Sequence, residues 1–554
     1  MDVDGTMADL LAGRDVERHI EALAGLHGAS RREVAAAFAA RTAPGAPVAL
    51  RKAAFFALQH CWDTAACAPL VERLTDPSPE VRRMAAIVLD RAEGREFLAR
   101  AAKPLLVHPD PSIAAEAFER VESMYPEIDR MRAALANKSL RPHLARLLSR
   151  YYAPDLAPAC RDLLDDADLT VARAGVVALI EQADSPPPTR ERVAPLLHHE
   201  LNEARELAAE FCLWHGDGEM TVPLRQAMKV EPDLWARSAM AAAIGAIEAR
   251  GGGSPVFPAA EPMEPRWLYE GRSPSPEFIR ERREIYRARL RALGLPGRTL
   301  FGSDRDRTGT PPPATVTVVA PVREYYDRDG ESYGEKTGTV SRVFTDLIHI
   351  GDDVGWDREH LAVVAIAAGV VREVAWLESW GNLIVIEHRL PAALFAGQEA
   401  VVAATNAALA EPCVDVATRV VTCCSLYAHL GPAIMVRPGE HVAAGRKLGA
   451  IGRHYTWENG GYRAHLHFGL HLGGYEQRPL VGSDIDMRFE GRHHRARVLA
   501  ADGDRIDARI ETDRGPLSIW RPAGWARGYV PAWWFAEHSH GWIDPRMLLQ
   551  RSET

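Results

Sequence analysis

The sequence predicts a multidomain α plus β chain: an N-terminal α-solenoid of helical repeats, then a mainly antiparallel β domain. Three observations carry that prediction. A short pattern, a turn with Pro or Asp followed by an apolar-Arg helix start, returns about every 31 residues up to residue 250. From about Val316 the texture changes to Val, Ile and Gly with alternating polar residues, the signature of strands and turns. The 554 residues, 47% hydrophobic and 25% charged with a mean hydropathy of -0.19, suffice for about three to four globular domains.

Composition also excludes function classes. No run of roughly 18 uncharged apolar residues occurs, so membrane insertion is not expected. The opening MDVDGTMADLLAGRDVERHIEAL is acidic and lacks the basic patch, apolar core and cleavage site of a secretory signal, which predicts a cytoplasmic chain or one exported without a leader. A net charge of -9 and a pI near 6.2 argue against nucleic acid as a partner. Cys61, Cys67, Cys160, Cys212, Cys413, Cys423 and Cys424 are odd in number, form no C-x-x-C pair and sit mostly in apolar runs. They read as free thiols of a reducing compartment.

The repeat anchors fall at Leu50, Val81, Ile113, Val171, Ala204 and Trp235, with one weak unit near Arg141. Apolar residues at i, i+3, i+4 and i+7 give each unit two helices of about a dozen residues. This region, 1–250, resembles HEAT repeats, which implies stacked helix pairs with a concave surface for a protein partner or substrate. Gly, Pro and Ser dominate 251–265 and mark a boundary. The 251–315 linker carries one Arg-rich helix, which starts at Ser275-Pro276-Glu277, stops at Gly294 and is read as a solvated face or interdomain contact. The β domain then spans 316–550.

Histidines in that domain gather in three strings: HIGDD with His349 and Asp353, SLYAHLG with His429, and RAHLHFGLHL with His465 and His467. On a strand, residues i and i+2 share a face, so His465 and His467 point the same way. A catalytic zinc site takes three protein ligands from imidazole and carboxylate and leaves a position for water. His349, Asp353 and one member of the His465/His467 pair fill that count, and Gly351 could supply the bend between the first two. Amide hydrolysis also needs a proton acceptor and donors for the oxyanion, tasks open to His429 and the other member of the pair.

Together the strings resemble the LytM/lysostaphin-type zinc metallopeptidases, which hydrolyse peptide cross-links of bacterial cell walls. The resemblance extends to HLAVVAIAAGVVREVAWLESWGNLIVIEH, VRPGEHVAAGRKLGAIG and the closing GWIDPRMLL. It implies a duplicated hybrid motif fold and one zinc ion per chain bound by His349, Asp353 and His467. It further implies that His465 is the general base and that His429 stabilises the tetrahedral intermediate. Asn382 and His388 match other family positions expected to shape the groove, and Tyr427, two before His429, is expected to line the cleft. Arg463 is a departure that could meet a substrate carboxylate. The Trp-dense RPAGWARGYVPAWWFAEHSHGW could line a groove, with core packing the alternative.

Two insertions depart from the family, at about 389–422 and 483–520. The first has an Ala-rich helical middle that either caps the cleft or packs outside it; the second carries His493 and His494, which show no fitting partner in sequence. The reading that follows is a zinc endopeptidase acting on peptidoglycan peptides. One alternative is a cytosolic protease whose protein substrate is recruited by the repeats; another is a non-catalytic peptide-binding scaffold. A structural zinc would call for a closed four-ligand site, preferably with Cys, and no Cys lies in the three strings.

Overall fold

Every strong repeat anchor lies at the start of a helix in the computed structural model, and the recurring arginine has a physical reason. The structure describes residues 2–12, 14–122, 128–142, 156–180, 187–255, 276–295, 303–306, 311–312, 314–326, 330–335, 347–377, 380–454, 456–475, 478–489, 492–502, 505–512, 515–522, 529–537 and 540–550. Among these, packing divides the chain into one unit built on Met1–Leu147 and another on Leu148–Lys336 with Asp346–Thr554. Composition changes at 250, but packing does not divide there.

In the first unit, helices Val48–His60, Pro79–Glu93 and Pro111–Glu122 carry the anchors Leu50, Val81 and Ile113. Ser78 accepts from the Val81 amide and Pro79 occupies the first turn, a favoured start. Arg51 reaches Asp76 at 2.8 Å, and Arg82 reaches Glu116 at 2.9 Å. Each helix-start arginine therefore fastens its helix to an acidic group of the following repeat, and the apolar faces between them bury Phe38, Phe55, Leu58, Leu70, Val81 and Leu89. Most of the weak unit near Arg141 lies outside the described residues.

In the second unit, helices Leu169–Ile180, Asn202–His215 and Leu234–Ala249 carry Val171, Ala204 and Trp235. Arg173 pairs with Glu203, and Arg205 with Glu231 at 2.6 Å. The Arg-rich helix is Pro276–Ala292, and Gly294 follows it at φ +76°. Residues 256–275 and 296–302 of the linker, Ser275 included, lie outside the described residues.

The β region begins with β1 (Ser303–Arg305), β2 (Leu347–His349), β3 (Asp352–Val354), β4 (Ala362–Val364), β5 (Gly369–Leu377) and β6 (Gly381–Pro391). Then come β7 (Val414–Asp415), β8 (Val420–Leu430), β9 (His441–Val442), β10 (Lys447–Ala450) and β11 (Leu466–Leu472). The main sheet runs β1-β5-β6-β8-β11-β17, where β17 is Trp542–Ile543, and β3 pairs with β11 on the same side as β17. The pairings are antiparallel. One face packs Ala375, Leu383, Val385, Leu426, Ala428 and Trp542 into a core.

The first insertion supplies a short turn, Ala392–Phe395, and the helix Glu399–Ala408. Gln398 binds the backbone of Asp544 in the closing segment. This insertion enters β8 at Val420, nine residues from His429, or roughly 30 Å along the strand. It packs outside and does not cap the histidines. The second insertion forms an antiparallel sheet of β12 (Asp484–Phe489), β13 (Arg492–Asp502), β14 (Arg505–Thr512) and β15 (Gly515–Pro522) over its own core of Ile485, Met487, Val498 and Ile510. His493 does have a partner there, the Asp486 carboxylate at 2.9 Å. Beyond β15, β16 (Tyr529–Pro531) pairs with β2. In the Trp-dense stretch, Trp534 and Trp542 join the core and Trp533 packs against it; residues 523–528 lie outside the described residues.

Helices Asn202–His215 and Leu234–Ala249 dock on the β4/β10 pair through buried charge. Glu206 accepts from Arg323 at 2.7 Å and from the Ala362 amide, while Asp233 takes a second pair of bonds from Arg323. Lys447 pairs with Glu210, both about 1% exposed, and Glu210 also accepts from Trp214 at 3.0 Å. Burial works against charge on Arg323, but the Asp233 and Glu206 carboxylates hold its pKa above the ordinary value.

Candidate metal centre

Strand pairing brings the three strings together. His349 ends β2, where its amide donates to the Glu335 carbonyl at 2.8 Å and its own carbonyl accepts from Gly334 at 2.9 Å. Asp353 stands directly opposite His467 in the β3/β11 pair, so both side chains leave the same face. Alternation sends the neighbouring Asp352 the other way, where it accepts from the Tyr325 hydroxyl at 2.5 Å and the Tyr333 amide at 3.0 Å.

His349 Nε2 lies 3.2 Å from His467 Nδ1 and 3.5 Å from Asp353 Oδ1, which in turn lies 3.0 Å from His467 Nδ1. All three residues are buried, and together they could hold a metal ion. Two imidazoles and a carboxylate converging this closely repel one another unless protons or a cation sit between them. Burial pushes His349 down to about 4, leaving it neutral at pH 7 as a ligand must be. Burial alone would raise the Asp353 carboxyl, but His349 and His465, with the His467 hydrogen bond, hold it well below the usual range. His467 Nε2 is buried without a hydrogen-bond partner among the described residues. The donor set thus fits a divalent metal cation.

Gly351 is explained by space. A Cβ there would lie 2.6 Å from His467 Nε2 and 2.8 Å from the Phe468 carbonyl, so the residue between the two ligands of HIGDD must be glycine for the His467 ring to fit.

His465 and His429 complete the cluster, their ring centroids 4.5 Å apart. His465 Nδ1 lies 2.6 Å from the Arg463 carbonyl, which can only accept, so Nδ1 carries the proton and Nε2, 3.6 Å from Asp353 Oδ1, carries the lone pair. The same reasoning applies to His429, whose Nδ1 lies 2.8 Å from the Asn459 carbonyl. Burial lowers the pKa of both imidazoles, and His465 and His467 further lower that of His429.

His429 reaches this face by breaking strand alternation. Tyr427 and His429 would share a face, yet β8 carries a bulge: Ala428 and His429 together oppose the single residue Leu383 of β6. His429 takes φ +63°, which turns its imidazole toward His465. Tyr427 stays in the core against Phe468, its hydroxyl at 3.0 Å from the Ile366 amide and 3.1 Å from Ser425 Oγ. It does not line the cleft.

The other expected residues divide similarly. Asn382 is buried beside the site and donates to the Gly431 carbonyl at 3.1 Å, fixing the chain just after His429. His388 lies six residues further along β6, roughly 20 Å away. There it bridges the Ala368 carbonyl at 3.0 Å and Ser425 Oγ at 2.7 Å, a structural role away from the groove. Arg463 is engaged with Asp357 rather than presented free to a substrate.

Sequence reasoning missed the aromatic surround. Trp356 stacks on His465 at 4.5 Å, Trp380 stacks on His429 at 6.3 Å, and Tyr462 lies 4.8 Å from His429. Their signal was available: each aromatic lies within a few residues of a chemistry-bearing string or family-like step. Gly381, at φ +63°, lets the 456–462 loop lie against it; a Cβ would meet the Glu458 carbonyl at 2.2 Å. That approach is what carries the Asn459 carbonyl to His429.

No family model matches the chain. No curated protein matches it either. Among solved structures it is similar to two engineered proteins, at 17% identity over 43% of this chain and 99% of the other with a TM-score of 0.19, and at 18% over 43% and 98% with 0.17. At such scores the likeness carries no argument about fold or function.

Proposed function

We propose that the chain is a zinc-dependent endopeptidase that hydrolyses peptide bonds in peptidoglycan peptides. The observation that carries this reading is the donor set of His349 Nε2, Asp353 Oδ1 and His467 Nδ1, with two further imidazoles, His465 and His429, each holding its Nδ1 on a carbonyl. Zinc held there would act as a Lewis acid, lowering the pKa of a coordinated water and polarising the scissile carbonyl. His465 would accept the water's proton at Nε2 and return it to the leaving amine. His429, its ring 4.5 Å from that of His465, would stabilise the tetrahedral intermediate. Trp356, Trp380 and Tyr462 would limit water around these atoms.

In the same reading the sheet is a duplicated hybrid motif and the helices are HEAT-like repeats. Support for the repeats comes from helix starts about 31 residues apart and from the arginine-to-acid links between successive units.

The test is muropeptide release from purified sacculi by zinc-loaded protein, read by mass spectrometry against His465→Ala. New peptide termini that appear only with the intact protein, and vanish on chelation, are expected. No release from protein carrying one zinc per chain sinks the wall substrate and turns the search to a protein substrate. Failure to bind zinc sinks the hydrolase reading itself.

A further inference from the structure

The loop between β3 and β4 is bent unusually for its sequence. Gly355 has φ +70°, but the non-glycine residues Asp357 and His360 also sit in the left-handed region, at φ +59° and +65°. Such conformations persist only where surrounding bonds impose them. Here the Asp357 amide donates to the Ala464 carbonyl at 3.0 Å, and the His360 amide to the Ile451 carbonyl at 2.9 Å.

Side chains tie the same two segments. Arg463 grips both carboxylate oxygens of Asp357, its Nε at 2.6 Å. His454 Nδ1 accepts from the Ala464 amide at 3.2 Å, so its Nε2 is the protonated nitrogen; it points at Glu359, 2.7 Å away, and Asp357, 3.3 Å away. His454 and Glu359 are buried beneath the ion pair. An exposed ion pair contributes little by itself. This one is two-pronged, backed by buried groups, and built on the residue whose carbonyl orients His465. It also holds Trp356, whose ring lies parallel to the His465 imidazole within 10° and has the Arg463 guanidinium carbon 5.2 Å from its centroid.

We propose that the Asp357–Arg463 pair, seated on His454 and Glu359, is a positioning device for His465. It fixes the Arg463 carbonyl that takes the Nδ1 proton and the Trp356 ring that stacks on the imidazole, so that Nε2 alone faces the cluster. Arg463 and Asp357 are positioning residues; the role of His465 as base rests on the function proposed above.

Two measurements separate the two ideas. The first needs no activity: two-bond 1H–15N spectra of metal-free protein labelled with 15N-histidine, with His465 assigned by its loss in His465→Gln. Wild type is expected to show a single His465 tautomer protonated at Nδ1, and Asp357→Asn a mixture. The second is turnover of a soluble cross-linked muropeptide, where Asp357→Asn should lower kcat about 10-fold to 100-fold with KM and bound zinc little changed, and Asp357→Glu should recover part of it. An unchanged His465 spectrum and unchanged kcat in Asp357→Asn overturn the proposal. If wild type turns over nothing, the hydrolase reading fails and the spectra alone decide the positioning. Should Asp357→Asn not fold, Trp356→Leu carries the same test: loss of the single tautomer supports the proposal, and its persistence overturns it.

Discussion

Two of the places in the second unit that gather buried polar side chains are built on opposite logic. At the helix–sheet junction, Glu206, Glu210 and Asp233 meet Arg323 and Lys447, and acceptors face donors of opposite charge. In the histidine cluster, acceptors face acceptors: His349 Nε2, His467 Nδ1 and Asp353 Oδ1 converge within 3.5 Å. Buried polarity that cancels internally needs no further partner. Buried polarity left uncancelled asks for something from outside. The contrast singles out the triad that could hold a metal ion without reference to any relative.

Breaking the cancellation should have the largest effect. Glu210→Ala leaves Lys447 buried and unpaired and is expected to destabilise the second unit by about 3–5 kcal/mol in urea unfolding, whereas Glu210→Leu with Lys447→Met together should cost far less. Equal losses in both variants would mean that the cost does not come from a stranded Lys447 charge.

Acid should find a different weakness in the same helix. His215 donates to the Leu179 and Ile180 carbonyls, and burial pushes its pKa down to about 4 against 6.5 for an exposed imidazole. The folded chain therefore binds fewer protons than the unfolded one. Stability is complete above about pH 6.5 and falls by about 3 kcal/mol as pH drops toward 4. His215→Gln should flatten that part of the stability profile; a profile that does not change would assign the acid sensitivity elsewhere.

The smallest change in stability should produce the sharpest change in the cluster. Gly351→Ala forces the His467 ring or the Phe468 carbonyl aside, at about 1–3 kcal/mol. Zinc affinity should fall at least about 10-fold in competition with a chelator. Glu210→Ala, by contrast, should leave affinity per folded molecule unchanged. If Gly351→Ala binds zinc normally, the ring has room that the packing denies it.

Local signals in the sequence carried much of this. Repeat anchors appear as helix starts because Pro, Ser and Asp caps act within a few residues, and the placement of His465 beside His467 follows from strand periodicity. Tyr427 went astray because alternation holds only while the register does, and the bulge opposite Leu383 is not written in any residue of SLYAHLG. The buried Glu206 and Glu210 stand at i and i+4 on an otherwise apolar face, a mark of a charged partner elsewhere in the chain. Neither Arg323 nor Lys447 could be named from that mark, because their approach depends on how β4 and β10 pack. The Asp357–Arg463 link, between residues 106 apart, was beyond reach for the same reason.

Position 429 answers to two demands at once. Its imidazole belongs to the cluster, while its backbone sits where side chains with a Cβ are disfavoured by roughly 1–2 kcal/mol. A routine alanine scan would merge these, since His429→Ala removes the ring and keeps the strain. Asparagine visits the left-handed region more readily, and glycine loses nothing there. Variation at this position should therefore run along a short path through Asn and Gly rather than the usual drift among polar residues. A copy of the chain that had lost the histidine cluster would be recognisable first by which small residue had replaced His429.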